Sequence, residues 1–151
     1  MKSRNGFTLV ELLIVVIILG ILAAIVIPQF SDASSEAKYN SLTSNLATIR
    51  SQIQLYKVQH NGLLPGGGSA SVTDSLTKYT TVDGSLAATQ APGAGVYGPY
   101  LQQIPKNPYN SSDKAATITN DGTLGDNSGG WEFNTTTGAF QADDSKAHSD
   151  L

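Results

Sequence analysis

Few side chains in this sequence are equipped for chemistry. It has no cysteine and two histidines, His60 and His148, and neither has an acid and a nucleophile at a spacing that sets up acid-base or nucleophilic catalysis. A hydrolase is therefore disfavoured. Gly66, Gly67 and Gly68 precede Ser69, but no lysine follows at phosphate-loop spacing and no strand pattern precedes, so a phosphate cradle is rejected. Hard oxygen donors are present in Asp113, Asp121, Asp126, Asn127, Asp143 and Asp144. Residues 121–131 do not follow the spacing of a twelve-residue calcium loop, and Asp-Gly and Asp-Asn pairs also form ordinary turns. Asp121 and Asp126 are the candidate calcium ligands, with turn formation as the competing reading. No other cofactor is implied.

The remaining acid of interest is Glu11, because of where it sits. Residues 7–27 read FTLVELLIVVIILGILAAIVI, and Thr8 and Glu11 are the only polar side chains among them. As a helix this stretch rises roughly 31 Å, close to the ~30 Å hydrocarbon thickness of a bilayer. An unpaired carboxylate at that depth costs a few kcal/mol, so Glu11 requires a cation or must reach back to the headgroups. Gly20 and Pro28 weaken a helix, the first by backbone entropy and the second by a missing donor. They mark a candidate helix break. The competing readings are a small packing residue at Gly20 and a proline that opens a second helical segment.

The formal charge is −3 and the basic residues are scattered, which gives no face for nucleic acid. Lys2 and Arg4 precede the apolar stretch and acids dominate beyond it, so the start of the chain is expected on the cytoplasmic side and the remainder outside. A removable secretory signal, cut near Ser31, Asp32 and Ala33, is the alternative, but its apolar region runs to only about 7–15 residues. Helical patterning here also continues past Pro28. Leu42, Leu46, Ile49, Ile53 and Tyr56 step by four, three, four and three, which is one helical stripe. His60, Asn61 and Gly62 supply a stop, with Gly62 placed for the left-handed cap.

Gly6 directly before Phe7, then Thr8, Leu9, Val10, Glu11 and an apolar run, resembles the class III signal of type IV prepilins and type II secretion pseudopilins. The resemblance implies that a membrane-embedded prepilin peptidase cuts between Gly6 and Phe7 and methylates the new Phe7 amine. The apolar stretch would survive as an assembly helix. Cleavage would remove Lys2 and Arg4, and Glu11 would then pair with the Phe7 amine of a neighbouring copy. The resemblance further implies loss of helix near Pro28 in assembled filaments and, in some heads of this kind, a bound calcium ion. Residues 54–65 and 98–109 also resemble the long-helix end and the head of major pseudopilins.

The expected fold is α+β and pilin-like: a long N-terminal helix, transmembrane in its first half, packed on a small antiparallel sheet of about three strands. The divisions are a leader at 1–6, a transmembrane and assembly helix at 7–27, an amphipathic continuation at 28–61, a loop-rich head at 62–142 and a flexible tail at 143–151. Val72, Leu76 and Tyr79 suggest a short helix; residues 116–119 read as a strand, and 131–134 with 139–142 read as a hairpin. Trp131, Phe133 and Phe140 are expected to cover the Leu42 to Tyr56 stripe.

By resemblance the function is structural: the major pseudopilin of a type II secretion system. A type IV pilin of a surface fibre for adhesion, motility or DNA uptake is the alternative, and a single-span anchored binding protein is the second. Expected partners are further copies of itself, the prepilin peptidase, an inner-membrane assembly platform and minor pilin-like subunits.

Overall fold

The computed structural model describes residues 6–89 and 95–151. Lys2 and Arg4 of the leader lie outside them, as do Pro92 and Gly93. The chain divides into two compact units, Met1–Ala37 and Lys38–Leu151.

Helix α1 spans Leu9–Gln59, within two residues at each end of the expected 7–61. Among the described residues it is the one helix long and apolar enough to cross a membrane. In the first unit it runs through Gly20 and Pro28 without interruption. Each described residue of this unit is solvent-exposed, including Leu19, Leu22 and Phe30.

In the second unit, α1 buries the predicted stripe of Leu42, Leu46, Ile49, Ile53 and Tyr56. Its end is closed by the Gly62 amide donating to Lys57 O at 2.8 Å, with Asn61 at φ 55° and Gly62 at φ 92°. A left-handed residue at this position lets the chain reverse and satisfies an orphan helix carbonyl. Helix α2, Val72–Thr77, is capped by the Ser71 side chain, which accepts from the Asp74 amide.

Among the described residues five strands follow, all short, where about three were expected. β1 (Thr80–Thr81) pairs antiparallel with β2 (Val96–Tyr97). A 3-10 turn at Asp113–Ala116 leads into β3 (Ile118–Thr119). β4 (Trp131–Phe133) and β5 (Phe140–Ala142) form the expected hairpin, with Trp131 opposite Ala142 and Phe133 opposite Phe140. The three-stranded sheet is not antiparallel throughout, because β3 runs parallel to β4. Gly130 permits that return: its amide donates to Thr117 O at 3.0 Å, and a Cβ at 130 would strike the Ala115 carbonyl.

Trp131, Phe133 and Phe140 join Leu42, Leu46, Ile49 and Ile53 of α1, Leu76 and Ile104 in one core. The Trp131 indole donates to Pro105 O at 2.8 Å. The expected frayed tail is instead held in place. Asp143 is fully buried, α3 (Lys146–Ser149) follows, and Leu151 packs on the core. Arg50 of α1 donates to Phe140 O at 2.9 Å and to Leu151 O at 2.8 Å. Those backbone carbonyls, together with the buried Asp143, tie the polar tail down.

Candidate assembly site

Gly6, Phe7 and Thr8 precede α1 in non-helical backbone, and all three are exposed. Thr8 and Glu11 form a capping box. Glu11 Oε2 accepts from the Thr8 amide at 2.9 Å and from its hydroxyl at 2.8 Å, while the Glu11 amide donates back to Thr8 Oγ1 at 3.3 Å. Two otherwise unpaired donors at the helix start are satisfied together, and a carboxylate beside the positive end of the helix is favourable. The sequence reading missed this partnership, although Thr-x-x-Glu before an apolar run is its local signature. Glu11 Oε1 takes no hydrogen bond among the described residues. The Phe7 side chain, 75% exposed, touches no core.

The other chemistry-bearing residues serve the head. His60 is buried, its Nδ1 set 2.9 Å from Tyr56 O and its Nε2 2.9 Å from Thr80 Oγ1, and its ring stacks on Tyr56 at 3.7 Å. Both nitrogens are engaged, which leaves none for a substrate. Burial lowers its pKa from the ordinary 6.5, with the Tyr56 carbonyl and the Asp83 charge opposing. His148 does have an acid and a hydroxyl beside it, contrary to the sequence reading: Nδ1 lies 2.5 Å from Asp144 Oδ2 and 3.1 Å from Ser145 Oγ. Both contacts fall on the same nitrogen, whereas a nucleophile relay needs acid and hydroxyl on opposite sides of the ring. The group is a clasp, completed by Tyr109 against the imidazole and by Asn107 Nδ2 donating to Asp144 Oδ1 at 2.7 Å.

Asp121 and Asp126 are exposed, and each caps its own turn: Asp121 Oδ1 accepts from the Thr123 amide at 2.8 Å, and Asp126 Oδ1 from the Ser128 amide at 2.8 Å. The organising carboxylate of this region is Asp143. Its Oδ1 accepts from the Gly125 amide at 2.9 Å, and its Oδ2 accepts from the Gly129 amide at 3.0 Å and from Ser128 Oγ at 3.2 Å. Among the described residues no three His, Asp or Glu side chains gather where they could hold a metal ion.

Comparison with known proteins bears on the N-terminal segment first. The family described as "Prokaryotic N-terminal methylation motif" matches residues 1–27, which include Gly6, Phe7 and Glu11. The type IV narrow pilus major component PilA5 of Thermus thermophilus is 39% identical over 94 residues, covering 56% of this chain and 81% of that protein. The chain belongs to the type IV pilin-like family. The type II secretion system core protein G of Klebsiella pneumoniae is 28% identical over 117 residues, covering 74% of this chain and 73% of that protein. Core protein G of Vibrio cholerae is 25% identical over 130 residues, covering 82% and 78%. No solved structure matches the chain.

For a type IV pilin-like chain the exposed apolar face of α1 is the largest feature left to explain. Leu9, Val10, Leu12, Leu13, Ile14 and the residues through Ile27 are exposed. A contiguous apolar surface of that extent marks a membrane or protein contact.

Proposed function

We propose that this chain is the precursor of a filament subunit, the major pseudopilin of a type II protein secretion system. A prepilin peptidase cuts between Gly6 and Phe7 and methylates the Phe7 amine. The processed subunit waits in the bacterial inner membrane as a single span, with its N-terminus on the cytoplasmic face and its head in the periplasm. An inner-membrane platform then extracts it into a filament with further copies and minor pilin-like subunits. It works by assembly and not by catalysis.

Glu11 carries this reading. It is the single acid in residues 7–27, its Oε2 is held by Thr8, and its Oε1 is open. In a low-dielectric filament core, an open carboxylate oxygen beside the Phe7 amine of the next copy sets register, because breaking a buried pair costs more than the pair contributes. Extension of the filament by loss of helix between Gly20 and Pro28 belongs to the same proposal, as property of the assembled state.

The relatives named core protein G support secretion. The second reading is a type IV pilin of a surface fibre, favoured by the identity to the Thermus pilus component. Mass spectrometry of the native N-terminus tests what the two share, a chain that begins at methylated Phe7; an intact Met1 would instead mark a single-span anchored binding protein. Deletion of the gene separates them: secretion lost with surface fibres intact supports the pseudopilin, and the reverse supports the pilin.

A further inference from the structure

The Gly6–Phe7 bond lies just ahead of α1, in exposed non-helical backbone. What keeps the helix from running back over it is local. The first helical hydrogen bond goes from the Leu12 amide to Thr8 O at 3.3 Å, and Thr8 Oγ1 takes the Glu11 amide, which makes Thr8 the N-cap. The sequence holds a competing start nearly one turn earlier, because Asn5 is also a favoured N-cap type. A helix begun at Asn5 would take Gly6, Phe7 and Thr8 as its first turn, and the Gly6 carbonyl would accept from the Val10 amide. A Cβ at Gly6 would meet nothing within 4 Å, so no packing accounts for a glycine there. Its effect on the chain is to weaken any helix that includes it.

We propose that Thr8 is a positioning residue for leader removal: its cap stops α1 short of Phe7 and so holds the Gly6–Phe7 bond in the open backbone that a peptidase needs. The inference rests on the reading in which that bond is cut. A peptidase must reach the carbonyl carbon and stabilise its oxygen, whereas a helical carbonyl is already hydrogen-bonded and crowded by the next turn. Cleavage of a site that opens and closes quickly follows its open fraction, so a cap that excludes the earlier start raises the share of chains that can be cut. Thr8 does this through the backbone and needs no contact with the peptidase. Glu11 closes the box by accepting from the Thr8 amide, but the capping acceptor is the oxygen of Thr8 itself. The stop therefore survives loss of the Glu11 carboxylate. Thr8 governs leader removal and Glu11 governs assembly.

Purified prepilin peptidase acting on the full chain in detergent micelles tests this, with release of residues 1–6 followed by mass spectrometry. Thr8→Val keeps the side-chain shape and removes the cap. It should raise KM about three- to fivefold with kcat unchanged, because a smaller fraction of chains is competent to bind. Thr8→Ser and Thr8→Asn keep a capping acceptor and should be cut with the wild-type KM. Backbone carbon-13 shifts of Gly6 and Phe7, measured without peptidase, should move toward helical values in Thr8→Val alone. An unchanged KM in Thr8→Val, or shifts that stay non-helical there, would overturn the proposal while leaving cleavage itself in place. A KM raised as far in Thr8→Asn as in Thr8→Val would overturn it too, since the peptidase would then be reading threonine directly. A wild-type chain left uncut would remove the processing reading, and the proposal with it.

Discussion

Thr8 and Glu11 hold each other at the start of α1, with Glu11 Oε2 taking both the amide and the hydroxyl of Thr8. The lone acid of the apolar segment is thus half satisfied by its own chain before any neighbour arrives. The cap occupies one carboxylate oxygen, and in the proposed assembly the external cation takes the other.

Substitutions at the pair should separate those roles. Glu11→Ala is expected to insert and lose its leader normally but to give little filament. Thr8→Val should weaken the helix start by about 1 kcal/mol and lower filament yield less severely, whereas Thr8→Ser keeps the cap and should behave as wild type. Sheared-filament yield alongside the N-terminal mass checks all three. Normal filaments from Glu11→Ala would remove the pairing.

Asp143 should be the head's most sensitive acid. In Asp143→Asn an amide NH2 faces the Gly125 or Gly129 amide, leaving a buried donor unpaired, at a cost of about 1–3 kcal/mol. Asp121 and Asp126 cap exposed turns, so Asp121→Asn and Asp126→Asn should change stability far less. Thermal unfolding of the full chain in micelles, followed by near-ultraviolet circular dichroism, measures each. Because Asp143 already has donors on both oxygens, added calcium is expected to leave the transition where it is. A calcium-dependent rise would restore Asp121 and Asp126 as ligands.

His60 gives the head an acid limit. Its pKa is lowered in the fold, chiefly by burial, so the neutral ring is the form that the folded state favours. The unfolded chain binds a proton first as pH drops. The contribution of His60 is therefore full above the ordinary value of 6.5 and is lost as pH falls below it through the folded value. The charged or titratable neighbours are Asp83, Tyr56, Tyr97 and Tyr100. His60→Gln should flatten the stability profile between about pH 7 and 5 while lowering stability overall. A profile as steep as wild type would assign the acid sensitivity to another group.

Leu46 and Leu19 illustrate the two halves of α1. Leu46 is buried in the head core, and Leu46→Ala should cost roughly 2–5 kcal/mol in thermal unfolding. Leu19 is 59% exposed, and Leu19→Ala should leave head unfolding unchanged while reducing filament yield. Equal effects of the two on unfolding would contradict the division.

What was legible in the sequence was what repeats locally. Leu42 to Tyr56 follows the helical period, and all five are buried; Trp131 and Phe140 alternate with polar residues around a turn and form the expected hairpin. What was missed depends on distant backbone. The parallel pairing of β3 with β4 is made through an irregular return that only Gly130 permits, and no period announces it. Asp143 looked like tail because its donors are glycine and serine groups 14 to 18 residues earlier. β1 and β2 are two residues each, too short to alternate. The Thr8 cap was legible in the Thr-x-x-Glu spacing before the apolar run.

The lid over the α1 stripe is synthesised late. Arg50 reaches Phe140 across 90 positions and Leu151 across 101. At a ribosomal pace of about 5–20 residues per second, the greasy flank of Leu42, Leu46 and Ile49 is made roughly 5–20 s before the strands that shelter it. If the nascent chain is exported as it grows, that flank stays uncovered by its own chain until the final segment arrives.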